Sequence, residues 1–259
     1  MRRSPAQRHF TRASAVIAAL GGVPLVPTRA AGSDDDDATV GINGPYRLQL
    51  AELGDCMRQL KQIQAREAKI ARKRELIGTF DPWTAGILVA HRGGAPAVQD
   101  DIVLTMMVWA LDIEDHDRAL PLIGYVLDND LSMPERYTRT APTVIAEIAA
   151  EAAIARIGRD ETPSLDFLQL VEETTRDKDM IDEVRAKLHK AIGLTLLRHA
   201  EPVEGAEEAV AAERAGGRLA ALTGAIEHFK LALRRHSKAG VKKDLEKAER
   251  ELAKLGQAQ

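Results

Sequence analysis

Residues 46–77 sort into two opposed arcs when each residue is advanced by about 100°, the step of an α-helix. Leu50, Leu53, Met57, Leu60, Ile63, Ala68, Ile70 and Ala71 share one broad apolar arc. Arg58, Lys61, Arg66, Lys69, Arg72 and Lys73 share the other, with Arg74 and Glu67 as the exceptions. A strand, whose side chains alternate at every second residue, cannot divide this segment into an apolar and a basic face. The pattern predicts one long basic amphipathic helix ended by Gly78 and Pro82, with its apolar arc packed on the body of the protein or on a neighbouring subunit.

The rest of the chain points the same way. Aromatic residues make up only 3% of the 259, while Ala, Leu, Glu, Lys and Arg dominate, so few β-branched and aromatic side chains remain to cover a sheet. The expected class is all-α, the long basic helix being followed by packed helical hairpins. "DDIVLTMMVWALDI", expected as an amphipathic helix with Asp100 or Asp101 as N-cap, and "HDRALPLIGYVLDNDL" form one hairpin within 98–131. Helices are also expected over 141–158 and 163–176 and in "DEVRAKLHKAIGLTLLRHA", whose acids precede its bases as the helix dipole prefers. "RLAALTGAIEHFKLALRRHS" and "VKKDLEKAERELAKL", broken at Gly240, form a last hairpin. The expected organisation is a basic arm and Gly/Pro/Asp linker (1–45), the long helix (46–78), a helical core (79–200), an Ala/Glu-rich insertion (201–217) and a C-terminal hairpin (218–259).

With 45% apolar and 29% charged residues the composition is that of an ordinary globular protein. No run of about 18 apolar residues exists to span a bilayer, so no membrane partner is expected. Cys56 is the only cysteine, which excludes an intramolecular disulfide and a cysteine-based zinc site and leaves a small core or helix-face residue. The net charge of −3 conceals segregation: residues 100–183 carry 20 acids and 7 bases, whereas 58–74 carry seven bases and one acid. A polyanion-binding part beside an acidic part is the physical reading.

Few motifs of catalysis are present. The chain has no P-loop, no His-Glu-x-x-His and no Gly-x-Ser-x-Gly, and its seven histidines make no ligand-spaced pair. Asp112, Glu114, Asp115, His116 and Asp117, in "LDIEDHD", are the best candidate metal cluster. A nuclease needs carboxylates that converge on magnesium, usually from separated segments, whereas adjacent acids at a turn repel and solvate. The four aspartates at 34–37, together with Glu172, Glu173, Asp177 and Asp179, are set aside on the same ground. No metal, cofactor or catalytic residue is assigned, and a magnesium-dependent nuclease is kept as the rival reading. The basic arc is the strongest functional feature, because cations along one face neutralise successive phosphates and release counterions. A solvated bundle face is the plain alternative. A membrane-surface helix fits least, since the apolar arc is Ala-rich and lacks Trp and Phe. On charge geometry Arg58, Lys61, Arg66, Lys69, Arg72 and Lys73 are the candidate DNA contacts, assisted by Arg2, Arg3, Arg8 and Arg12 of the arm.

Residues 1–32 leave two readings open. Paired arginines ahead of the short apolar run 13–20 have the look of an export signal, but Ser4, Pro5 and Ala6 follow the arginines and Gly21, Gly22 and Pro24 interrupt the run. The competing reading is a basic arm.

"SPAQRH", "QDDI" before "W-x-L-D", "MPERYTRTAP", "DEVRAKLHKAIGL" and "AGVKKDLEKAEREL" occur here in that order and cover the N-terminal box and most of 46–255. In these words the chain resembles the small terminase subunits of peduovirus-type temperate tailed phages, sometimes labelled the terminase endonuclease subunit. The resemblance implies genome packaging: a subunit that binds double-stranded phage DNA at its cohesive-end packaging site and oligomerises, usually as a ring. It also implies recruitment and regulation of a large subunit that carries the ATPase and the nuclease. It further implies residence in the host bacterial cytoplasm, which favours the arm over the export signal. No helix-turn-helix is legible near the N-terminus, so the resemblance does not locate the DNA contact. A helical adaptor without DNA affinity is the third reading.

Overall fold

The computed structural model describes residues 44–201 and 208–257, and every regular element among them is helical. The arm arginines and the acidic run at 34–37 lie outside the described residues. The chain divides into two compact units, Met1–Thr138 and Arg139–Gln259, and each is organised around one enclosed helix.

In the first unit, α1 (Gly44–Gln62), α2 (Arg66–Leu76), a 3-10 turn (Ile77–Phe80), α3 (Asp81–Arg92), α4 (Asp101–Asp112) and α5 (His116–Asp128) follow in order. Expected as an amphipathic helix, α4 is instead apolar around its whole circumference, so it is stable only when wrapped. Every residue from Ile102 through Leu111 is accordingly buried. Its start is fixed by Asp100, which is 2% exposed and accepts hydrogen bonds from the Ile102 and Val103 amides (2.8 and 3.0 Å) and from Trp83 Nε1 (2.8 Å). Burial raises the Asp100 pKa, and those three donors oppose the rise. Ile77 and Phe80 of the 3-10 turn are both buried, and the Phe80 ring meets Trp109 edge-on at 6.3 Å. From α1, Leu53, Cys56 and Leu60, spaced at i, i+3 and i+7, form the buried stripe.

In the second unit, α6 (Ala141–Gly158), α7 (Leu165–Thr175), α8 (Asp182–His199), α9 (Glu208–Arg235) and α10 (Lys242–Gln257) follow, and α8 is the centre, packed by α6, α7 and α9. The motif "DEVRAKLHK" is revealed as structural. Arg185 is buried and donates to the carbonyl oxygens of Arg176 (3.1 Å) and Lys178 (2.7 Å), closing the C-terminal end of α7. Lys187 reaches Glu151 at 2.8 Å on α6, and His189 meets His228 of α9 with the Nδ1 atoms 3.1 Å apart. Gly193 lets the fully buried Phe229 ring lie against the α8 backbone.

Four expectations are corrected. The long helix over 46–77 is two helices, because Ile63, Gln64 and Ala65 leave helical geometry and Ala65 adopts φ −69°, ψ 130°. A straight helix of that length would run about 48 Å. The break instead separates two buried sets, Leu53, Cys56 and Leu60 before it and Ile77 and Phe80 after it. The expected apolar arc is likewise curtailed: α2 buries none of its residues, and Ala68 and Ala71 are exposed. Pro82, read as a stop, stands instead in the first turn of α3, a helix the sequence reading left unassigned. The last long helix begins at Glu208, within the segment read as an insertion.

Candidate nucleic-acid interface

The 63–65 turn divides the predicted cationic face, and the structure sorts its members by what they touch. Lys61, in the last turn of α1, and Arg66, in the first turn of α2, are exposed. Lys69 is half-buried, and these three form no ion pair with any described residue. Arg58 pairs with Asp55 one turn away, both side chains being more than 60% exposed. A pair that solvated contributes little and leaves the guanidinium available. Arg72 is held between the two helices, donating to Glu75 on its own helix and to Gln59 Oε1 of α1 at 2.7 Å.

Lys73 is withdrawn from the surface. Its side chain is 19% exposed and is paired with Asp112 at the end of α4. Next to it, Arg74 Nη2 donates to the Ile113 carbonyl oxygen at 3.4 Å. Lys73 and Arg74 therefore fix α2, a helix with no buried residue of its own, to the enclosed helix. Of the six α1–α2 candidates, Lys61, Arg66 and Lys69 are presented, Arg58 is available, and Arg72 and Lys73 are engaged in holding the helices. The arm candidates Arg2, Arg3, Arg8 and Arg12 lie outside the described residues.

Two acids of the cluster "LDIEDHD", Asp112 and Asp115, are engaged in structural contacts. Asp112 takes Lys73. Asp115 caps α5 by accepting from the Arg118 amide at 3.1 Å and also pairs with the Arg118 guanidinium. That guanidinium lies bidentate on Asp81, Nε to Oδ1 and Nη2 to Oδ2, both at 2.9 Å. The hydrogen bonds to Asp81 outweigh partial burial and raise the Arg118 pKa. Among the described residues no three His, Cys, Asp or Glu side chains are placed to hold a metal ion. Arg118, one of only seven bases among the 84 residues from 100 to 183, was the sequence signal for this organisation. Its partner Asp81 lies 37 residues upstream, beyond any local pattern.

No helix among the described residues is long and apolar enough to cross a membrane. The family model for the phage small terminase subunit matches residues 50–183, which run from the basic helices through the start of α8. The chain is 38% identical over 249 residues, 96% of its own length and 85% of the relative's, to a protein of Escherichia phage P2 named "Terminase, endonuclease subunit". No solved structure matches it significantly. On the family match and on this identity, the chain belongs to the phage small terminase subunit family.

Proposed function

We infer that this chain is the DNA-recognition subunit of a phage genome-packaging complex. Family membership supports the packaging role. The observation that carries the DNA assignment is the trio Lys61, Arg66 and Lys69: one cation at the end of α1 and two on α2, the helix pinned by Lys73 and Arg74, none of the three with an ion pair among the described residues. A pinned helix presents its charges without the entropy cost of ordering them on the ligand. Duplex backbone at the cohesive-end packaging site crosses this turn, Arg58 exchanges Asp55 for phosphate, and Arg2, Arg3, Arg8 and Arg12 add contacts from the arm. Copies of the chain assemble into a ring, so that a modest patch acts several times over. The sequence has no P-loop, so the ATPase belongs to the large subunit this chain recruits, and the nuclease is assigned with it. The word endonuclease in the relative's name is read as membership of the cutting complex, which works in the host bacterial cytoplasm.

The test is a titration of the purified chain onto fluorescent duplexes, one carrying the cohesive-end region and one scrambled, across a salt series with and without magnesium. Wild-type protein should prefer the packaging site and lose affinity steeply with salt. Lys61→Ala, Arg66→Ala and Lys69→Ala together should reduce the salt slope by about 2 to 3, at about 0.9 per phosphate contact. A triple variant that binds like wild type would remove this surface from the assignment. Magnesium-dependent cleavage by the isolated chain would move the nuclease into it.

A further inference from the structure

The turn between α9 and α10 carries a second concentration of positive charge, separate from the α1–α2 surface and in the other compact unit. Residues 234–243 contain Arg234, Arg235, Lys238, Lys242 and Lys243 and no acid, and all five cations are exposed. Arg235 lies 3.5 Å from Asp182. The other four form no ion pair with a described residue. Elsewhere in this hairpin cations are paired across the two helices: Lys230 with Glu249 at 3.1 Å, and Arg218 with Glu251 at 3.0 Å.

The turn is built rather than loose. The His236 amide donates to Ala232 O at 2.9 Å and the Ala239 amide to His236 O at 3.0 Å. Lys190 Nζ, reaching from α8, donates to Ala239 O at 3.3 Å. Gly240 takes a left-handed φ of 72°, and Val241 is fully buried as the plug beneath the turn. The cations therefore stand on a fixed frame. Arg234 and Arg235 end α9, where the helix dipole welcomes them. Lys242 and Lys243 begin α10, where the dipole favours acids, so helix stability does not account for them.

The chemistry of the turn selects among partners. The turn holds no Trp, Tyr or Phe, neighbouring Phe229 is buried, and its one imidazole, His236, is half-buried 3.9 Å from Glu183, so little is offered for bases to stack on and single strands are poorly served. None of the exposed large apolar residues lies in the turn, so the anchor of a protein interface is missing as well. What remains is a rigid group of ammonium and guanidinium heads suited to phosphates.

We propose that the α9–α10 turn is a second DNA-contact surface, binding the phosphate backbone of duplex DNA without regard to sequence and independently of the α2 surface. The packaging complex then touches its substrate through both compact units. Register comes from wherever the site is read, and holding strength comes in part from this turn.

The experiment uses the full chain in four forms: wild type; a turn variant with Arg234→Gln, Lys238→Gln, Lys242→Gln and Lys243→Gln; an α2 variant with Lys61→Gln, Arg66→Gln and Lys69→Gln; and the combination. Fluorescence anisotropy is read on a packaging-site duplex and on a scrambled duplex across salt, with circular dichroism melting to confirm the fold. The turn variant should melt like wild type and lose about tenfold or more in affinity on both duplexes alike. Its salt slope should be shallower by about 2 to 3. A milder Lys242→Gln, Lys243→Gln variant should lose about half of that slope, and Lys242→Arg with Lys243→Arg should retain it. A turn variant with wild-type affinity and slope overturns the proposal, whatever the α2 variant does, and so does one altered only in self-association. Loss on the packaging-site duplex alone overturns the sequence-independent reading. Loss in the turn variant with none in the α2 variant upholds this surface while removing the α2 assignment.

Discussion

A β-carbon added at Gly193 would lie 2.6 Å from Cε1 and 2.8 Å from Cδ1 of Phe229, whose ring has no room to retreat because it is fully buried. Gly193→Ala should therefore lower the unfolding free energy by about 1–3 kcal/mol, read from urea denaturation, and Phe229→Leu in the same chain should recover part of the loss. Close by, His189 is 5% exposed, and burial, followed by the neighbouring His228, lowers its pKa from 6.5 to about 4. Burial lowers the His228 pKa as well. The groups facing the pair are Glu172 on α7, Arg185 on α8, and Glu227 and Arg235 on α9. Between pH 6.5 and about 4 the unfolded chain binds more protons than the folded one, so stability is complete above 6.5 and declines as pH falls. The decline should reach roughly 3 kcal/mol. Urea midpoints taken from pH 7.5 to 4.5 check this, and His189→Gln should flatten the profile. An unchanged profile would show that the pair titrates alike folded and unfolded.

At the scale of the element, α2 is a helix without a core face. Its amphipathic sequence fixed the helical geometry, but its position comes from its C-terminal end: Lys73 on Asp112, Arg74 on Ile113 O, and Ile77 and Phe80 driven into the first unit. The Lys73–Asp112 pair is 19% and 27% exposed, between a surface bridge and a buried one. A double-mutant cycle with Lys73→Met and Asp112→Asn should return a coupling of about 1 kcal/mol. Lys73→Met should also weaken DNA binding without reducing the salt slope by a full phosphate, because Lys73 acts by placing α2. A slope reduced by about 0.9 would identify Lys73 as a direct phosphate contact instead.

At the scale of the whole molecule, the division at Thr138 gives each unit its own enclosed helix, α4 in one and α8 in the other. Both tryptophans, Trp83 and Trp109, belong to the first unit, so their fluorescence reports that unit, while far-ultraviolet circular dichroism reports both. Gly193→Ala lies in the second. It should shift the dichroism transition to lower denaturant and leave the tryptophan transition in place. Coincident shifts in both signals would mean that the units unfold as one cooperative body.

The class and most of the helices are legible in the residue order, because helical geometry is a local property and its apolar period is visible in one dimension. That order placed the start of α4 at Asp100 or Asp101, of which the fold uses Asp100, and it singled out residues 58–74 as basic. Only the tertiary structure decided which of those cations face outward. Nothing in "QIQAR" announces a break, yet the helix ends there and a second one leads to the buried Ile77 and Phe80. Nothing near Lys73 announces Asp112, 39 residues away, or near Asp81 announces Arg118. Asp112, from an acidic run expected to be solvated, became an anchor of a basic helix because charges pair across space. Residue spacing along the chain records period and sign but not proximity.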